Sequence, residues 1–219
     1  MDSLDLVNTF FAPPLPAQPS GYGMSVLHLL RREIQDCFFG DVFPEDTALE
    51  QPVRHRLFAT AMLLVAGVDL LAKLYEGADN HGGSGRRFKA FASRFLFKGL
   101  KNPDVLADVL WTACRNPLLH SFGLHNQDYA LLVIESVPGP AGQFSPVLVR
   151  GQDDKTYVLS VAGLFLAFCR AVNEYRDLLL ANPDLRRRFE AQFPKYGRID
   201  VADVEIRGQE RGFTLRPLP

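Results

Sequence analysis

The run from Leu57 to Leu74 constrains the fold more than any other part of the chain. Its apolar residues fall on every side of a helical wheel, the pattern of a helix enclosed by others. Asp69 and Lys73 interrupt it, so its unbroken part is too short to span a bilayer. A long buried helix is therefore expected over about residues 47–75. Pro52 is its kink or marks a later start, and Gly77 is its end. Everything else must supply the elements that surround it.

The chain has 219 residues, enough to bury a core as one domain. Net charge is −1, so any attraction to nucleic acid or membrane must be local. Cys37, Cys114 and Cys169 are odd in number and widely spaced, which predicts free thiols in a reducing, cytoplasmic setting and no zinc site. Residues 1–23 begin with Asp2 and Asp5 and continue with Pro13, Pro14, Pro16 and Pro19. That is not a signal peptide; it reads as a flexible proline-rich arm or one laid on a neighbour.

A helix is expected over residues 25–39 with Ser25 as its cap, followed by one over 86–97 and one over 103–114. Residues 78–85 read as a glycine-rich connector, lacking the spacing of a phosphate-binding loop. Residues 129–137, 146–150 and 156–159 read as three strands of a small antiparallel sheet. Ser160 caps a last long helix, and Asn182-Pro183 starts another turn or two. The expected organisation is an arm (1–23), a single helical bundle (24–195) with a β-insertion at about 128–159, and a tail (196–219) with a short strand near 201–206.

The sharpest chemical signal is Arg115-Asn116-Pro117-Leu118-Leu119-His120. In one unbroken helix the arginine and histidine would point about 140° apart. Pro117 disfavours helical geometry at Asn116, so one helix is expected to end near Cys114 and a short one to begin at Pro117. The new helix start would offer amide donors to phosphate. Arg115 would add a guanidinium fork, and His120 a group that exchanges protons near neutral pH. Those are the parts that RNA cleavage by the 2′-hydroxyl requires, without a metal or other cofactor.

This run resembles the Arg-polar-x3-His motif of the HEPN superfamily, with Asn116 as the polar residue, and the helical context extends the likeness over residues 47–124. The resemblance implies a mainly α, HEPN-like helical bundle, here with a small antiparallel β-sheet insertion. It also implies a homodimer whose active site forms between protomers. Arg115 and His120 would be its catalytic pair and Asn116 would orient one of them. Many such proteins are endoribonucleases of toxin–antitoxin and phage-defence systems, so RNA and an antitoxin-like protein are the implied partners. Others are inactive binding or dimerising modules.

Two further features bear on that reading. Asp69 needs a partner in so apolar a run, and Arg115, His120 or another helix could supply it. Arg86, Arg87, Lys89, Arg94, Lys98 and Lys101 concentrate six positive charges with no acid between residues 80 and 103. They form either an RNA-binding face or a solvated face paired with acids elsewhere. Arg115 and His120 meeting in an open cleft beside Arg86 and Arg87 would favour the enzyme. A closed hydrogen-bond set would favour a non-catalytic module binding RNA, nucleotide or protein. A small-molecule site would need a deep apolar pocket.

Overall fold

A computed structural model describes residues 3–11, 24–39, 57–76, 83–117, 130–136, 147–151 and 155–199. Among these, seven helices surround one core and a small sheet lies at its side. The elements are α1 (Ser3–Phe11), β1 (Met24–Ser25), α2 (Val26–Phe39), α3 (Leu57–Glu76), α4 (Ser84–Phe91), α5 (Pro103–Val109), β2 (Ala130–Ile134), β3 (Leu148–Arg150), β4 (Thr156–Ser160), α6 (Val161–Ala181), α7 (Pro183–Tyr196) and β5 (Arg198–Ile199).

Helix α3 is the centre. It packs against α2, α4, α6 and α7, and Leu64, Val65, Val68, Leu71 and Leu74 are fully buried. By length and composition alone it could also cross a membrane. Gly67 lets its neighbours come close, since a Cβ there would lie 2.7 Å from the Phe168 ring and 2.9 Å from Leu30 Cδ2. Beside it, Tyr175 sits edge-on to Phe11, Tyr75 and Phe91, so one aromatic cluster joins α1, α3, α4 and α6.

The expected caps form. Ser25 Oγ accepts from His28 N at 3.1 Å and donates to Phe10 O. Ser160 Oγ accepts from Gly163 N, and Asn182 Oδ1 accepts from Asp184 N and Leu185 N. Each pairing satisfies amides that a helix start leaves open. Ahead of α5, Asn102 stands at φ 57°, and its carbonyl receives the amides of Val105 and Leu106.

Three expectations change. Part of the 1–23 arm is helix α1, whose Val7, Phe10 and Phe11 are buried against α6 and α7. Val7, Phe10 and Phe11 fall at i, i+3 and i+4, a helical face that the nearby prolines concealed. The sheet is mixed rather than antiparallel, with strand order β2-β4-β3. β3 and β4 form the expected hairpin, but β2 runs parallel to β4. Finally, β5 pairs antiparallel with β1 and ties the end of α7 to the start of α2. The tail strand expected near 201–206 lies outside the described residues.

Candidate functional site

Helix α5 passes into a π-helical turn over Leu110–Arg115. Asn116 keeps right-handed helical angles (φ −67°, ψ −51°), its amide bonds Trp111 O five residues back, and the helix continues through Pro117. The expected break at 115–117 is therefore absent. A π-turn widens the helix by one residue, so the spacing that makes proline clash inside an α-helix no longer holds. With no new helix start at Pro117, the amide cradle for phosphate is lost as well.

The π-turn also aims the motif. One added residue rotates the C-terminal side of the turn by about 100° relative to a straight α-helix. Leu110, Ala113 and Cys114 face the core, and Arg115 comes alongside α3. There Arg115 Nη2 donates to Asp69 Oδ2 at 2.8 Å, and both side chains are 13% exposed. Its Nη1 donates to Asn116 Oδ1 at 3.3 Å. The guanidinium lies 4.5 Å from the Trp111 ring centre, a cation–π contact that also fixes its plane. Arg115, Asn116 and Asp69, singled out from sequence, thus converge. Leu118, Leu119 and His120 lie outside the described residues.

Four neighbours were missed in the sequence. Lys73, one turn after Asp69, places Nζ 4.0 Å from the same Oδ2 and 5.5 Å from the Tyr196 ring centre. Lys195 Nζ lies 5.1 Å from that ring. Trp111 precedes Arg115 by four residues, a helical spacing that could have found it. Nothing local in the sequence links Tyr196 to Lys73.

Of the six residues of the basic stripe, three stand in ion pairs and Lys101 is exposed. Arg86 meets Glu76 at 3.2 Å, Lys89 meets Asp108 at 3.0 Å and Lys98 meets Glu174 at 2.9 Å. Arg94 donates to Tyr75 Oη, and Arg87 is 5% exposed, inside the bundle rather than on a face. Phe88, Phe91 and Phe95 do line the core beside them. A second π-turn, Ala92–Leu96, shifts the register partway along, and Arg170 bonds the Leu96 carbonyl.

Other chemistry is limited. Cys114 adjoins Arg115 but is fully buried, and burial pushes its thiol far up. Burial also raises the Cys169 thiol, with Arg31 opposing, in a crevice of about 20 Å³ between α2 and α6 that has room for a single water. Among the described residues no three His, Cys, Asp or Glu side chains are grouped to hold a metal ion. No family model, curated protein or solved structure matches the chain.

Proposed function

We propose that the chain is a HEPN-type, metal-independent endoribonuclease acting as a homodimer, with Arg115 and His120 as its catalytic pair. The observation that carries this reading is the fixed guanidinium. Asp69 and Asn116 accept from the Arg115 guanidinium and Trp111 lies against it. Such a prearranged cation costs little reorganisation when charge develops on a phosphate. In the reaction, the RNA 2′-hydroxyl oxygen attacks phosphorus as its proton is taken up. The 5′-oxygen leaves with a proton returned, and a 2′,3′-cyclic phosphate remains. His120 performs one of the two proton transfers, and Arg115 stabilises the negative charge. In a toxin–antitoxin or defence setting, a cognate protein partner would restrain this activity.

The same ion pair favours a second reading. A guanidinium only 13% exposed and bonded to a carboxylate suits a closed structural set, and hence a non-catalytic dimeric module. End-labelled RNA incubated in EDTA separates the two. The enzyme reading expects cutting by the wild type and none by folded, dimeric His120→Ala or Arg115→Ala. Intact RNA throughout, or equal cutting by the variants, leaves the non-catalytic module.

A further inference from the structure

We infer that Lys73 and Tyr196 form a nucleotide subsite flanking Arg115, with Lys73 taking a neighbouring phosphate and Tyr196 a stacked base. The inference rests on reading Arg115 as a phosphate-contacting residue. Asp69 Oδ2 is approached by two cations, Arg115 at hydrogen-bonding distance and Lys73 at 4.0 Å, beyond it. One carboxylate oxygen thus serves Arg115 first, and Lys73 stands between the far side of that ion pair and the Tyr196 ring. Cation–π contacts at partly exposed sites are weak, so phosphate would draw this ammonium away easily. Its side chain is one-third exposed, which gives it the reach to move.

Spacing supports the pairing. The Lys73 and Arg115 nitrogens are separated by less than the sum of their two distances to Asp69, a span comparable to that between neighbouring phosphates on one strand. Once Lys73 turns to phosphate, the half-buried Tyr196 ring is uncovered on that side. Aromatic rings next to cations are how proteins hold an unpaired strand, the ring stacking a base and the cation meeting the backbone. Both residues come from rigid elements, α3 and the last turn of α7, and β5 ties down the chain just beyond Tyr196. Lys195 adds a second ammonium at the same ring.

The test is binding of a fluorescein-labelled uridine 12-mer to full-length protein carrying His120→Ala, which prevents cutting. Tyr196→Ala is expected to weaken binding by roughly five- to a hundredfold, the range for loss of one stacked base. Tyr196→Phe keeps the ring and should bind within about twofold of its parent. Lys73→Ala should lower the slope of log affinity against log salt by about 0.7, one phosphate contact on a single strand. Lys73→Arg should restore that slope, which a variant that merely misfolds would not do. Unchanged affinity in Tyr196→Ala together with an unchanged slope in Lys73→Ala would overturn the subsite. Cleavage distinguishes this from failure of the parent reading: wild type that binds through Lys73 and Tyr196 but never cuts removes the ribonuclease and leaves the subsite.

Discussion

Asp69 is the residue on which the site turns. A carboxylate among Val68, Leu70 and Leu71 is tolerable only when paired, and its partner proves to be Arg115, 46 positions along the chain. Asp69→Ala leaves a largely buried guanidinium without its carboxylate, and chemical denaturation should register a loss of about 3 kcal/mol. Because Arg115 and Asp69 act as one unit, adding Arg115→Ala should cost less than the sum of the single losses; strict additivity would deny the coupling. Tyr175 makes the opposite case. Its hydroxyl is buried and has no hydrogen-bond partner among the described residues. Tyr175→Phe should therefore be neutral or stabilise by up to about 1 kcal/mol. Its pH signature comes from burial, which raises the Tyr175 hydroxyl above its ordinary 10.0, with Tyr75 adding to the rise. Burial likewise raises Cys114 above its ordinary 9.0. Below pH 9 the folded and unfolded chains both keep these protons, so neither group gives a slope. Above it the unfolded chain releases protons that the folded chain retains. Stability should then fall by about 1.4 kcal/mol per pH unit for each group, and Tyr175→Phe should lessen that fall above pH 10. A stability curve that rises between pH 9 and 11 would contradict the assignment.

At the scale of elements, helices were legible where their signals were local. Ser25, Ser160 and Asn182 cap as their side chains predict, and Pro103 and Pro183 begin helices. The failures at Pro117 and β2 share a cause, since they depend on geometry that no short window contains. Pro117 ends an α-helix by rule, yet the π-turn before it alters the spacing on which the rule depends. β2 pairs parallel with a strand that comes after β3 in the chain, and alternation alone does not specify that partner. Close approach at Gly67 is equally invisible in sequence, where the residue resembles only a weak point in a helix. Gly67→Ala should destabilise by about 1–3 kcal/mol despite the higher helix propensity of alanine, because its Cβ would collide with Phe168 and Leu30. A thermal melt at or above wild type would show that α2 and α6 can move apart at no cost.

For the whole molecule, the central helix and its helical surround stem from the apolar run at 57–74, whereas the seating of α1 does not. Phe10 meets Phe189 and Phe193 across the core, so the N-terminal helix belongs to the same packed unit as α7. Phe10→Ala should cost about 3–5 kcal/mol; a loss under 1 kcal/mol would restore the reading of this segment as a dispensable arm. The candidate site was legible in part. Arg115, Asn116 and Asp69 could be chosen from residue chemistry. The partners of the basic stripe could not, because Lys98 finds Glu174 and Lys89 finds Asp108 only in the fold. Near Asp69, Arg115 and Lys73 meet one carboxylate oxygen.

The most direct test of the central claim is the chemistry of the cut ends. An RNA should be incubated with wild-type protein in EDTA, beside the same RNA carrying one 2′-deoxy substitution at the mapped cut. The expected result is cleavage of the all-RNA strand to a 2′,3′-cyclic phosphate and a 5′-hydroxyl, and no cleavage where the 2′-hydroxyl is missing. RNA left whole, ends bearing a 3′-hydroxyl, or cutting at the deoxy position would contradict it.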